Sequence, residues 1–263
     1  MLTIITLACL AGIVAADSAY RNVTRRVNLS RGVAATPSYK SCIASVWNMD
    51  DNAASTTVDD SGPENRDGTA AANTSTKSVP GILGTALDFN GTSDGILIGD
   101  YYRFLPGTNF SISYWCWSKM ATKLGNPFGK DNNTSRGWIH QLTPTNYAAT
   151  AGSFYNSVGG ENSLTINVPH IPTQRWTFCV FTYRQDSTRA TTFWTNAVLK
   201  DTGSPAAAMP NCSANFYIGR VAYPAFEGWF TGRIDQVVIW TNKILTALEI
   251  TNLYNAGSGV ALP

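Results

Sequence analysis

Residues 230–240 have the sequence FTGRIDQVVIW, and residues 245–250 have the sequence LTALEI. The first run is rich in β-branched and aromatic residues, which is typical of a strand. In the second run, Thr246 and Glu249 have the spacing of a capping box, and Gly257 follows as a C-terminal cap. The apolar stripe of this segment consists of Leu245, Leu248, Ile250 and Leu253. We therefore predict a strand at residues 230–240 followed by a short helix at residues 246–256.

Short runs of apolar and β-branched residues, separated by Gly, Pro, Asn and Asp, precede this stretch. In residues 110–114 every second side chain is apolar, as expected for a strand with one face on the core. In Trp115-Cys116-Trp117 both faces become apolar, which indicates a strand in the middle of a sheet. The predicted strands lie at residues 42–48, 86–89, 95–98, 110–118, 137–142, 147–150, 163–168, 176–183, 191–195, 215–219 and 230–240. This rhythm predicts an all-β protein, a two-sheet antiparallel sandwich.

The composition sets the size of the fold and limits its partners. The chain has 263 residues, of which 44% are hydrophobic and 14% charged, so it can bury one large core. The formal net charge is only +2, too small to attract nucleic acid through bulk charge, and we expect no nucleic-acid partner.

Motifs over residues 46–261 resemble the laminin-G-like, concanavalin A-like lectin/glucanase superfamily. They are VWNMD (46–50), VDDSG (58–62), DGT (67–69), GTALDFNG (84–91), DGILI (94–98), FSISYW (110–115), RWTFCV (175–180), FWTN (193–196), YIG (217–219) and the two runs at 230–250. The resemblance implies a jelly-roll sandwich with the helix packed against it. Asn196-Ala197 stands where the family usually has Asn-Gly, so we expect a longer or differently shaped hairpin there.

The N-terminal 40 residues differ from the rest, and we assign residues 41–263 to the jelly-roll domain. Residues 1–16 form an apolar run ending in small residues, which indicates either a cleaved secretory signal or a retained anchor docking on a membrane or a neighbouring subunit. A polar arm follows, flexible or acting as a basic assembly arm. Its basic residues are Arg21, Arg25, Arg26 and Arg31.

Four cysteines follow the apolar run, and they are Cys42, Cys116, Cys179 and Cys212. Their even number is compatible with two disulfides in any of three connectivities, and nothing in the sequence forces them to pair. They form no pattern with histidine that would suggest a zinc site.

Catalytic patterns are not found in the sequence. A glycoside hydrolase of this superfamily needs two carboxylates aimed at one bond, and none of the four Glu residues stands in such a strand pattern. The two histidines, His140 and His170, are expected to be structural. We predict that the protein is not an enzyme.

A metal site is suggested by the resemblance, which implies a structural Ca²⁺ near the Asp-Ser-Gly loop and the final strand. The candidate ligands are Asp60, Asp67 and Asp235. The alternative is that Asp60 only stabilises a turn and that Asp235 is a buried hydrogen-bonding carboxylate.

The leading functional hypothesis is a non-catalytic recognition module, displayed outside a cell or on a virion surface, that binds a glycan or a protein surface. Aromatic side chains in or near loops are the candidate contacts, with core packing as the alternative for each. They are Trp138, Tyr147, Tyr155, Tyr223 and Trp229. The competing hypothesis is a structural protein of a virion or other particle, joined to neighbouring subunits by its N-terminal arm.

Overall fold

The computed structural model describes residues 39–103, 107–119, 125–132, 135, 137–142, 171–204, 211–222 and 228–263. Several predictions from the sequence lie outside these residues. They concern residues 1–16, the arm residues Arg21, Arg25, Arg26 and Arg31, the strands 147–150 and 163–168, His170, and the aromatic residues Tyr147, Tyr155 and Tyr223. Ser41–Pro263 form one compact unit.

Two antiparallel sheets make up this unit, which confirms the predicted all-β sandwich. The strands are β1 (Ile43–Trp47), β2 (Thr57–Val58), β3 (Gly68–Ala70), β4 (Ser78–Pro80), β5 (Thr85–Asn90), β6 (Ile96–Gly99), β7 (Phe110–Ser118), β8 (Gly125–Lys130), β9 (Trp138–Leu142), β10 (Trp176–Tyr183), β11 (Thr191–Thr195), β12 (Val198–Gly203), β13 (Phe216–Ile218) and β14 (Thr231–Thr241). The helix α1 spans Ala247–Tyr254, and short 3-10 turns lie at Lys40–Cys42, Thr74–Thr76 and Asn255–Gly257.

The first sheet has the order β12-β11-β10-β7-β14-β5-β4 in the described part of the chain, and β1 also pairs with β14. β5 pairs with β14 at residues 231–234 and β1 at residues 237–240, on either side of an irregularity after Asp235. Gln236 has a φ of 42° at this point. The second sheet has the order β2-β3-β6-β13-β8-β9. β14 therefore lies inside the first sheet, with β7 on one side and β5 and β1 on the other. β7 lies mid-sheet between β10 and β14, as its apolar residues on both faces predict.

The core lies between the two sheets and is rich in aromatic rings. Residues such as Trp47, Tyr114, Phe128 and Phe216 are fully buried there. His140 lies among them, 4.4 Å from Phe181 between ring centroids, and burial lowers its pKa to about 3. The imidazole is therefore neutral and enclosed by hydrocarbon, which confirms the predicted structural role of His140.

The helix α1 covers part of the outer face of the first sheet. Thr246 and Glu249 form the predicted capping box, and Ile250 and Leu253 are buried. The C-terminal prediction was wrong in detail, because Asn255, at a φ of 47°, and not Gly257 is the left-handed cap residue. Leu248 was also wrongly placed in the buried stripe, since it is 69% exposed.

The hairpin between β11 and β12 is tighter than expected. Thr195 pairs directly with Val198, so Asn196 and Ala197 alone make the turn. Their φ angles are 49° and 61°, which is the conformation of a two-residue turn that favours Asn-Gly. The Asn196 side chain accepts a hydrogen bond from the Phe178 backbone N–H at 2.9 Å, and this bond helps to hold the turn against β10.

The four described cysteines are free thiols. Cys116 and Cys179 lie on neighbouring strands, but their direct cross-strand partners are Thr177 and Tyr114. Two residues in such a diagonal relation have Cβ atoms too far apart for a disulfide without movement of the backbone. The two-disulfide pattern that the cysteine number allowed is not present in the structure.

Candidate functional site

The three predicted calcium ligands are not brought together. Among the residues that the structure describes, no group of three or more His, Cys, Asp or Glu side chains could hold a metal ion. Asp60 uses all its oxygen lone pairs within the protein: Oδ1 accepts from the Val46 and Gly62 N–H groups, and Oδ2 accepts from the Arg66 N–H and the Ser45 hydroxyl. Asp60 therefore stabilises the 60–66 turn instead of presenting oxygens to a cation.

Asp67 and Asp235 also have roles within the fold. Asp67 Oδ1 accepts a hydrogen bond from the Asp60 backbone N–H at 3.0 Å. Asp235 Oδ2 accepts hydrogen bonds from the N–H groups of Ile82 at 2.7 Å and Leu83 at 3.0 Å, which fastens the β4–β5 turn to the β14 irregularity. The prediction that Asp60, Asp67 and Asp235 together hold a metal ion is therefore wrong. Calcium binding itself stays a prediction.

Of the predicted aromatic contacts, Trp138 and Trp229 lie within the described residues, and they differ in exposure. Trp138 is 1% exposed, and its ring packs against Phe110, Phe128 and Phe216 in the core. A ring that is almost fully buried cannot stack on a ligand, so Trp138 is a core residue and not a ligand contact. Trp229 is half-buried at the surface, and the Arg220 guanidinium lies 4.1 Å from its ring centroid.

A row of four side chains crosses the outer face of the first sheet, and sequence reasoning did not single it out. Trp176 in β10 is the direct partner of Trp117 in β7, Trp117 is the partner of Arg233 in β14, and Arg233 is the partner of Asp88 in β5. All four side chains are half-buried. We call these four residues, together with Lys119, the tryptophan row.

The helix α1 explains why the row is open while the rest of this face is closed. Trp115 and Phe178, two residues away on the same strands, are covered by Tyr254, whose ring centroid lies 5.9 Å from that of Trp115. Both are at most 2% exposed. The tryptophan row begins beyond this cover, so its rings keep access to solvent.

Polar groups line the tryptophan row on one side. The Lys119 ammonium donates to Asp88 Oδ1 at 2.6 Å, and the Arg233 Nε lies 3.7 Å from the same oxygen. Both cations also lie over the Trp117 ring, Arg233 at 4.6 Å and Lys119 at 5.6 Å from its centroid. Gly232 lets β14 lie close to β7 at this point, because a Cβ atom there would lie 2.3 Å from the Trp117 carbonyl oxygen. The row thus joins flat apolar rings to hydrogen-bond donors and acceptors.

A shallow groove continues from the Asp88 end of the row. Its internal space is only about 20 Å³, and it is lined by residues that include Ala71, Thr74, Lys77 and Asp94. Lys77 and Asp94 form an ion pair of 2.8 Å at its wall. A space of this size holds about one water molecule, so the groove itself offers no site for a sugar ring.

Catalytic carboxylates are not evident at these surfaces. Glu64 is paired with Arg66 at 2.6 Å, and Glu249 is used by the helix cap and by Lys243 at 2.7 Å. Glu161 and Glu227 lie outside the described residues. No helix in the described part of the chain is long and apolar enough to cross a membrane.

Comparison with solved structures gives the same fold. Domain 4 of AbnA, a GH43 extracellular arabinanase from Geobacillus stearothermophilus, solved in complex with arabinotriose, is 23% identical with a TM-score of 0.57. The match covers 80% of this chain and 97% of that domain. The binding domain of Paraclostridial Mosquitocidal Protein 1 is 17% identical, with a TM-score of 0.61 over 83% of this chain and 53% of that one. The receptor binding domain of botulinum neurotoxin D is 14% identical, with a TM-score of 0.64 over 84% of this chain and 54% of that one.

The chain therefore spans about half the length of the two toxin domains. At these identities the likeness concerns the fold alone. No curated protein matches the sequence. A family model does match, over residues 90–251, which is more than half of the chain. The protein belongs to the laminin-G-like branch of the concanavalin A-like lectin/glucanases superfamily.

Proposed function

We propose that the protein is a non-catalytic recognition module, displayed outside the cell, that binds a glycan through the tryptophan row. The observation that carries this proposal is the direct pairing of Trp176 with Trp117 on the outer face of the first sheet, in register with Arg233 and Asp88. Tryptophan rings placed side by side offer a flat apolar surface to the C–H face of successive sugar rings.

The polar half of the row suits sugar hydroxyl groups. A hydroxyl both donates and accepts, and the row supplies the Asp88 carboxylate as acceptor and the Lys119 and Arg233 groups as donors. Because all three side chains are about one-third exposed, a ligand can reach them without rearrangement of the sheet.

The similar structures support a binding function without specifying a ligand. One is a domain solved with arabinotriose, and two are described as binding domains. One of them comes from an extracellular enzyme, which agrees with display outside the cell.

Binding of oligosaccharides to the full chain and to two variants tests the proposal. Arabinotriose and matched neutral trisaccharides of xylose, glucose and mannose are titrated into the wild type, Trp176→Ala and Trp117→Ala by isothermal calorimetry. We expect at least one of the sugars to bind the wild type, and each variant to lose about ten-fold or more in affinity, because an aromatic contact at the centre of an interface carries much of its energy.

Two controls separate ligand contact from folding. Trp194→Ala changes a half-buried tryptophan on β11, outside the row, and should leave the affinity unchanged. Circular dichroism and melting curves check that each variant retains the fold. Equal affinity in the wild type and both row variants would reject the tryptophan row as the binding surface.

A further inference from the structure

A second surface lies on the outer face of the other sheet. Tyr217 in β13 pairs with Leu97 in β6, and both side chains point away from the core formed by Phe216 and Ile218. The Arg220 guanidinium lies over two rings of this surface, 4.9 Å from the centroid of Tyr217 and 4.1 Å from that of Trp229. Leu97 is 37% exposed beside them. We call Leu97, Tyr217, Arg220 and Trp229 the Arg220 surface.

The backbone is shaped to hold Arg220 in this place. Gly95, at the start of β6, lies under the side chain, and a Cβ atom there would come within 2.6 Å of Arg220 Cδ. Trp229 is fixed from the other side by an isolated β-bridge to Asn126. The guanidinium and the rings are therefore positioned before any ligand arrives, which reduces the entropy lost on binding.

The charge of Arg220 is not compensated by the protein in the described part of the chain. Several other arginines have carboxylate partners, such as Glu64 for Arg66 and Asp100 for Arg103. No ion pair involves Arg220 among the described residues, and its buried Nε has no hydrogen-bond partner. A planar guanidinium with free donors at its edge matches the two oxygens of a carboxylate.

We propose that the Arg220 surface binds an acidic sugar, with the sugar carboxylate on the edge of the guanidinium and the sugar ring against Trp229 and Tyr217. One cation between two flat rings matches a ligand with one carboxylate on one ring. An acidic peptide segment would instead call for several cations along an extended line. This site is separate from the tryptophan row, because the two lie on the outer faces of different sheets.

The test compares sialyllactose with lactose, and galacturonic acid trimers with neutral galactose trimers, by ¹H–¹⁵N NMR titration of the full chain. We expect the acidic member of at least one pair to bind at least about ten-fold more tightly than its neutral partner, with weakening at higher salt. Arg220→Gln and Trp229→Ala should each reduce that affinity about ten-fold or more.

Matched variants make the result specific. Arg233→Gln removes the other tryptophan-stacked arginine and should leave binding of the acidic sugar unchanged, as should Trp176→Ala. Melting curves establish that the variants are folded. Arg220→Lys keeps the charge but not the planar edge, and it should restore only part of the affinity.

Three outcomes would overturn the proposal. The first is binding of neither acidic probe, and the second is equal affinity for the acidic and neutral members of each pair. The third is binding of a glutamate-rich peptide through Arg220 with no binding of either acidic sugar, which would assign the surface to an acidic protein partner. Loss of acidic-sugar binding in Trp176→Ala but not in Arg220→Gln would place that ligand on the tryptophan row.

Discussion

Replacing Asp235 by asparagine should make the protein more stable at alkaline pH. The Asp235 side chain is fully buried beside the Gln236 irregularity, and its Oδ1 has no hydrogen-bond partner. Burial raises the pKa of this carboxyl group to about 7, and the negative charge of Asp50 contributes in the same direction. The hydrogen bonds from Leu83 and Ile82 lower the pKa, but they do not offset the loss of hydration.

The size of the effect follows from the shift in pKa. In the unfolded chain the carboxyl group has its ordinary pKa of 3.8. Between pH 4 and pH 7 the unfolded chain has lost this proton while the folded chain still holds it. The free energy of unfolding therefore falls by about 1.4 kcal/mol per pH unit through this group, and by about 4 kcal/mol in total. The contribution is fully present below pH 4 and is lost as the pH rises through 7.

Asparagine keeps an acceptor for Ile82 and Leu83 and has no charge to bury. Its amide N–H₂ takes the place of the unpartnered Oδ1, which costs roughly 1–3 kcal/mol at every pH. The free energy of unfolding of Asp235→Asn relative to the wild type should therefore increase by about 3 kcal/mol between pH 5 and pH 8. At pH 8 the variant should be the more stable protein.

Urea unfolding of both proteins at half-unit intervals from pH 5 to pH 8, with excess chelator, measures this difference. Asp201→Asn, at a half-exposed position of β12, is the control and should show no such trend. If the difference in the free energy of unfolding between Asp235→Asn and the wild type stays constant over this range, Asp235 is not a buried carboxyl group with a raised pKa.

Three further predictions concern the turn, the calcium and the arm. Ala197→Gly should raise the free energy of unfolding by about 1 kcal/mol, because Ala197 has a φ of 61° that glycine adopts without strain; an equal or lower urea midpoint would contradict the turn geometry. Excess chelator should leave the melting temperature unchanged, because the oxygens of Asp60, Asp67 and Asp235 accept hydrogen bonds within the fold; a fall of several degrees would show a bound cation. A chain of residues 41–263 should melt cooperatively near the temperature of the full chain, because Ser41–Pro263 form a compact unit, and loss of the cooperative transition would assign the arm to the core.

The sequence was informative wherever one local pattern determined the structure. The bounds of β7, β10 and β11 were predicted correctly, because β7 and β10 are runs of alternating or continuous apolar residues and β11 is a run of β-branched and aromatic residues. The helix start was also predicted correctly, because the capping box of Thr246 and Glu249 depends on residues three apart. Both kinds of signal are local and do not require knowledge of the rest of the fold.

Five of the described strands were missed, and they are β2, β3, β4, β8 and β12. β8 has the sequence GNPFGK, with one proline and two glycines, and yet every residue in it is buried. Contacts with β9 and β13 decide its conformation against the local preference. β2, β3 and β4 have only two or three residues each, too few for an alternating pattern.

The candidate site depends on tertiary structure even more. The sequence Trp115-Cys116-Trp117 showed apolar residues on both faces of β7, and this was the only local signal of the tryptophan row. Whether Trp115 or Trp117 stays open is decided by where Tyr254 of α1 packs. Asp235 was predicted to be either a calcium ligand or a buried hydrogen-bonding carboxylate, and the structure shows the second. Its partners Ile82 and Leu83 could not be predicted, because they lie about 150 residues away in the chain.

The most direct test of the tryptophan row is the response of the tryptophan indole N–H signals to a bound glycan. The chain has eight tryptophans, which Trp→Phe variants assign one by one in a ¹H–¹⁵N spectrum. With a neutral oligosaccharide selected by calorimetry, we predict that the indole signals of Trp117 and Trp176 shift with increasing ligand. Those of the buried Trp47 and Trp240 should stay in place. Shifts confined to tryptophans outside the row, with Trp117 and Trp176 unchanged at saturation, would contradict the account.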